Sequence, residues 1–153
     1  MRATRESWKF LPAPDRREPL ELSRQFTAAE AEQIEHGLIP QAMEDKWFIY
    51  FEDEWLRFHR SWTGAFIYAL RLERLPGGGM RVVGAWANRD PEQHKGTDAD
   101  YDRRLLHFLV DAFILKRSDV KFPMPAGMKA ATDGVVQHHY VGRGYPEVED
   151  EGT

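Results

Sequence analysis

Apolar and polar residues follow two different periods along this chain, and the changes of period divide it into elements. Residues 46–52 and 55–62 are rich in aromatic and branched side chains and are separated only by Asp53-Glu54. A third run, 65–74, follows the Thr63-Gly64 turn, and a fourth, 80–88, follows Pro76-Gly77-Gly78-Gly79. Loops this short join only antiparallel neighbours, so the four runs predict a meander. Within the third run Phe66, Tyr68, Leu70 and Leu72 fall on one face, opposite Ala65, Ala69, Arg71 and Glu73. One face of the sheet is therefore buried and the other at least partly wet.

Helical spacing flanks the strands. Thr27-Ala-Ala-Glu30 is a capping box with Phe26 placed as a hydrophobic staple, and Gly37 supplies the stop of a short helix. Its apolar positions, Ala28, Ala31, Ile34 and Leu38, are few, so it belongs on a surface with one side buried. After a loop over 89–97, the spacing predicts a long helix from about Asp98 to Lys116. Thr97 or Asp98 caps it, Asp98, Asp100 and Asp102 suit its positive end, and Lys116-Arg117 suit its negative end. From Leu105 to Leu115 only His107 and Asp111 are polar, so this helix should pack on the sheet and be covered again by another segment. The sheet-facing set expected is Leu105, Phe108, Leu109, Ala112 and Phe113.

The predicted fold is α+β: a four-stranded antiparallel meander with a short N-terminal helix and a long helix packed on one face. Residues 1–153 read as a single domain, with an irregular Pro-rich arm over 1–22, a core over 23–117 and a loop-rich tail over 118–153. Trp8, Phe10 and Leu11 are expected to pin the arm to the body, and Val135-Val136 and Tyr140-Val141 to add a short strand. Residues 147–153 are expected to be disordered.

Composition narrows the chemistry. A 42% hydrophobic content supports one real core, while the net charge of −4 speaks against a nucleic-acid binder that relies on bulk positive charge. The absence of cysteine excludes thiol catalysis, disulfides and thiolate zinc sites. With no signal-like or membrane-length apolar run, a soluble cytoplasmic protein without a membrane partner is the expectation. Neither phosphate loop, dinucleotide fingerprint, nucleophile elbow nor zinc motif is present, so no cofactor and no metal are expected.

Chemistry-bearing residues nevertheless collect at one predicted pole. In a four-strand meander, alternate turns lie at opposite ends. Glu44 and Asp45, the turn Ser61-Trp62-Thr63-Gly64 and the exit Asn88-Arg89-Asp90 share one end, close to the start of the long helix. As a site, Arg60 and Arg89 would hold phosphate or carboxylate, Ser61, Thr63, Asn88 and Asp90 would complete the cradle, and Trp62 would stack on a ring. The bland alternative is that these residues satisfy their own turns and pair with neighbouring carboxylates. His59 is the candidate general base if the protein is an enzyme, although His59 and Arg60 point to opposite faces of a regular strand unless a bulge intervenes. His107 and Asp111, four apart on one helix, and His138-His139 in the tail are weaker metal candidates; a polar stripe and an extended tail are the simpler readings. Trp47, Trp55 and Trp86 read as core or half-buried sheet residues.

Met43-Glu-Asp-Lys-Trp-Phe-Ile-Tyr-Phe-Glu52, Phe58-His-Arg-Ser-Trp-Thr-Gly64, Asn88-Arg-Asp-Pro-Glu-Gln93 and Asp98-x-x-Tyr-Asp102 form a signature. It resembles that of a family of small, uncharacterised bacterial proteins that stand alone or are attached to ADP-ribosyl hydrolase-type domains. The resemblance covers roughly 26–116 and carries over no catalytic residue. It implies a context of ADP-ribose or nucleotide chemistry, or of toxin and immunity systems. Two functions follow. The first is a binding or interaction module, such as an immunity or accessory protein, with a protein partner or an anionic small molecule such as a nucleotide. The second is a small hydrolase-type enzyme acting on a phosphorylated or ADP-ribosyl substrate, with His59 as base and Arg60 and Arg89 as clamp. The acidic balance favours the first.

Overall fold

The computed structural model describes residues 2–42, 44–117, 119–120 and 122–123. The strands and helices are β1 (Arg17–Pro19), β2 (Gln25–Phe26), α1 (Ala28–His36), β3 (Trp47–Glu52), β4 (Trp55–Arg60), β5 (Phe66–Arg74), β6 (Met80–Asn88) and α2 (Ala99–Leu109). The expected meander is present: β3, β4, β5 and β6 are successive antiparallel neighbours. The β3–β4 hairpin turns on Asp53 and Glu54 alone, both with positive φ (55° and 71°), which matches the twist of the strands.

The sheet has six strands rather than four. β1 and β2 both pair along β6, and the order is β1-β6-β5-β4-β3. Between them the chain stays on the same edge, with the Leu20 amide donating to Ala85 (2.9 Å) and the Val82 amide to Arg24 (2.8 Å). The predicted irregular arm over 1–22 is thus partly sheet. Strands of three and two residues are too short to display alternation, and Pro19 is compatible with an edge position. Short edge strands also leave little template for another chain to pair with.

Two bulges redirect side chains. Phe58 faces Tyr68 while His59 faces Phe66, so Ile67 is an extra residue in β5. Phe66 consequently leaves the face of Tyr68, Leu70 and Leu72 on which simple alternation places it, and stacks on His59 at 4.4 Å. Farther along, Arg71 faces Gly84 and Leu72 faces Val82, which leaves Val83 extra in β6 and exposed.

Both faces of the sheet are covered. On one, Trp47, Ile49, Leu56, Phe58, Tyr68 and Leu70 join α1 and α2 in the main core. On the other, Phe48 and Tyr50 pack with Ala3 of the N-terminal arm. Asp98 caps α2 by accepting from the amides of Asp100 (3.0 Å) and Tyr101 (3.3 Å). α2 does not run as one α-helix to Lys116. Beyond Leu109 it widens into a π-helical turn, Val110–Ile114, and Lys116 then ends it at φ 57°. The set buried in the core is Leu105, Leu106, Leu109, Val110 and Ile114, and Leu106 takes the place expected for Phe108 before the π turn begins. Phe108 and Phe113 lie half-buried on the flank, where the buried Phe122 meets the Phe108 ring at 5.3 Å. Among the described residues no helix is long and apolar enough to cross a membrane. The expected tail strand and His138-His139 lie outside the described residues.

Candidate functional site

The register brings Arg60, the Ser61–Gly64 turn and Asn88–Asp90 to one end of the sheet, since Trp47 pairs with Arg60 and Tyr68 with Ala87. Their side chains have separate occupations there. The Ser61 hydroxyl is buried and donates to the Asp45 carbonyl (2.7 Å), and Thr63 Oγ1 accepts from the Ala65 amide (3.1 Å). Asn88 Nδ2 donates to the Phe66 carbonyl (2.9 Å) and to Gln93 Oε1 (2.8 Å), while its own oxygen accepts from the Asp90 amide (2.6 Å). Asp90 Oδ1 takes the Glu92 amide (3.0 Å). Such bonds are what turn-forming side chains make when they satisfy the backbone around them.

Arg89 is the centre of a buried network. Its Nη2 donates to Asp102 Oδ2 (2.7 Å), its Nε to Glu18 Oε1 (2.7 Å), and its Nη1 reaches the carbonyls of Asn88 (3.2 Å) and Gly96 (3.3 Å). Asp102 comes from the first turn of α2, is 1% exposed, and accepts the Tyr68 hydroxyl on its other oxygen (2.6 Å). His94 brings Nε2 to 3.4 Å from the same oxygen, an ion-pair distance without hydrogen-bond alignment. Burial alone would raise the pKa of Asp102. The contacts from His94, Tyr68 and Arg89 outweigh it and hold the carboxyl below its ordinary range. Burial and the adjacent carboxylate push the Tyr68 phenol well above its usual value. The network ties β1, β5, β6, the loop after β6 and α2 together. Tyr68, His94 and Asp102 carry no sequence signal of this role: each looks like a core tyrosine, a loop histidine or a helix-start acid.

Arg60 is placed otherwise. Its guanidinium lies over the Trp47 ring, 5.6 Å from the centroid, on the α2 side of the sheet. The bulge does not bring His59 to that side. It adds Ile67 to β5 and leaves β4 regular, so His59 and Arg60 keep opposite faces. His59 is 1% exposed inside a box of Phe10, Phe48, Tyr50 and Phe66. Its Nδ1 bonds the Gly64 carbonyl at 2.8 Å, which requires a proton on that nitrogen, and its Nε2 is buried without a partner. Burial lowers its pKa to about 4, against the Gly64 carbonyl that favours the charged form. A general base needs reach to a substrate proton, and this ring has no open approach.

The outer surface at this end is of a different character. Trp8 Nε1 donates to the Ser61 carbonyl (2.7 Å), and the Leu11 amide to the Gly64 carbonyl (2.8 Å). Gly64 has φ 82°, and a Cβ there would lie 3.2 Å from the Phe10 backbone, so this close approach of arm and turn needs glycine. Trp8, Phe10 and Leu11 do pin the arm to the body, by these hydrogen bonds and the Phe10 ring against His59, yet they remain 37%, 42% and 38% exposed beside Trp62 at 54%. The buried residues of the arm are Ala3, Pro14 and Leu20. Two ammonium groups converge on Trp62: Lys46 Nζ sits 3.5 Å from the ring centroid and Lys9 Nζ donates to the Trp62 carbonyl (3.1 Å).

Away from this pole, His107 and Asp111 do not share a metal-like site. Arg24 donates to His107 Nδ1 (3.1 Å) and pairs with Asp111, which also takes Arg117 (3.3 Å). Burial and the Arg24 charge lower the His107 pKa. Among the described residues no group of three or more His, Cys, Asp or Glu side chains could hold a metal ion. Compared with protein-family models, curated proteins and solved structures, the chain finds no match in any of the three.

Proposed function

We propose that this chain is a stoichiometric binding module, an interaction protein of the immunity or accessory kind, that engages a protein partner through the aromatic surface formed by its N-terminal arm and the Ser61–Gly64 turn. The observation that carries this reading is the grouping of exposed rings. Of the five large hydrophobic residues exposed among the described residues, Trp8, Phe10, Leu11 and Trp62 occupy this one place, and Val83 stands apart. Tryptophan is among the residues enriched at the energetic hot spots of protein interfaces. Hydrogen bonds between arm and turn hold the cluster in place before any partner arrives, which lowers the ordering cost of binding.

The hydrolase reading loses support on the same grounds. Its base, His59, is enclosed, and one arm of its clamp, Arg89, is already closed on Asp102 and Glu18. The test compares two substitutions. Trp62→Ala should abolish partner binding or cellular protection, while His59→Phe, which fits its aromatic box, should preserve both. Loss of a turnover signal on ADP-ribosyl or phosphorylated substrates in His59→Phe, with binding intact in Trp62→Ala, would reverse the assignment.

A further inference from the structure

Resting on that reading, we infer that the arm is an acid-released strap: protonation of His59 lifts residues 8–11 from the Ser61–Gly64 turn and dismantles the docking surface. Three of the rings around His59, those of Phe48, Tyr50 and Phe66, belong to β3 and β5 and are fixed by strand pairing. The fourth, Phe10, belongs to the arm, meets His59 edge-on at 6.1 Å and is 42% exposed. It is the wall that can move without breaking the ladder. Residues 8–11 are held by donors that all reach one turn: Trp8 Nε1 to the Ser61 carbonyl (2.7 Å), Lys9 Nζ to that of Trp62 (3.1 Å) and the Leu11 amide to that of Gly64 (2.8 Å). The Gly64 oxygen also takes His59 Nδ1 (2.8 Å), so histidine, turn and strap meet at one atom.

Nδ1 already carries a proton, so a second one goes to Nε2, which is buried without a partner. An enclosed imidazolium with an unbonded N–H is costly, and opening the strap admits water to it. The Gly64 carbonyl favours the charged ring and Arg57 of the same strand opposes it. Charges on the packed elements are taken up elsewhere. Glu52 of β3 pairs with Arg5 of the arm, and Arg71 and Glu73 of β5 pair with Glu54 and Arg81. Tyr50 stacks on the ring as a neutral phenol, and Glu6 of the arm is exposed. With the strap closed His59 takes its second proton near pH 4, whereas hydrated it returns toward its ordinary 6.5. Acid therefore favours the open form, raising the open-to-closed ratio by up to roughly two orders of magnitude.

The test is fluorine NMR of the full chain labelled with fluorotryptophan, from about pH 7.5 to 4.5. Trp8→Phe assigns the reporter, and Trp47, 2% exposed in the main core, reports global unfolding. The expected result is a Trp8 resonance that moves to a solvent-exposed position while Trp47 stays unchanged. The His59 ring protons should titrate with the same midpoint. His59→Phe should hold Trp8 in its neutral-pH position throughout, and Lys9→Ala, which removes one bond of the strap, should move the transition to higher pH. A Trp8 signal that changes only together with Trp47, or at a pH where His59 has not titrated, would overturn the strap. So would the same shift in His59→Phe. This readout needs no partner, so a static Trp8 removes the strap and leaves the docking surface standing, whereas the binding result for Trp62→Ala decides the surface alone.

Discussion

Arg89 and Asp102 form the buried ion pair on which the polar end of the sheet is built, 2.7 Å apart with side chains 14% and 1% exposed. Removing one partner from such a pair strands the other charge away from water. Arg89→Ala should therefore destabilise the protein by about 3–5 kcal/mol. Urea unfolding checks this. A loss below about 1 kcal/mol would mean that Arg89 is held for something other than the fold.

Tyr68→Phe removes the hydroxyl that donates to the same carboxylate and leaves the ring in place. The expected cost is about 1–3 kcal/mol, the range for a buried acceptor losing its donor. Because Tyr68 and Arg89 share Asp102, the double variant should be less destabilised than the sum of the singles. Strict additivity in a double-mutant cycle would contradict the network.

His59 makes stability depend on pH. The folded state holds it neutral down to about pH 4, whereas the unfolded chain protonates it near 6.5. Between those values the unfolded state binds more protons, so the His59 contribution to stability falls as pH drops from about 6.5 to 4 and levels off below, where the depressed Asp102 carboxyl continues the loss. The difference amounts to on the order of 3 kcal/mol at most. His107, whose pKa is also lowered by burial and the Arg24 charge, adds to the fall below about pH 6.5. His59→Phe should flatten most of the profile. An unchanged acid limb would show that His59 titrates freely, contrary to its enclosure.

The α2 register yields a contrast between neighbours. Leu106→Ala empties a fully buried site and should cost about 2–5 kcal/mol, whereas Phe108→Ala on the half-buried flank should cost less than the 3–5 kcal/mol of a core phenylalanine. The opposite order in thermal or urea unfolding would restore the helical phase read from the sequence.

Local signals carried part of the fold, and insertions hid the rest. Strand alternation, the Asp53-Glu54 turn and the Thr27 capping box act over a few residues, and the meander, α1 and the start of α2 were legible from them. Ile67, Val83 and the π-helical turn were not, because one inserted residue changes the facing of all that follow without altering composition. The same holds for the candidate site. The turn chemistry of Ser61, Thr63 and Asn88 is local, so its bland reading could be weighed from the start. Closure of Arg89 on Asp102 and Glu18 joins residues far apart in the chain. Attachment of the arm through Trp8, Phe10 and Leu11 could be read from their hydrophobicity, whereas their partial exposure depends on the arm lying across the Gly64 turn.

Site-specific photocross-linking in living cells tests the proposed docking surface most directly. A photoreactive phenylalanine analogue replaces Trp62 in one variant and Val83 in another, two positions similarly exposed at 54% and 47%. A discrete protein adduct is expected from position 62 and none from position 83. Equal adducts from both positions, or an adduct from position 83 alone, would contradict it.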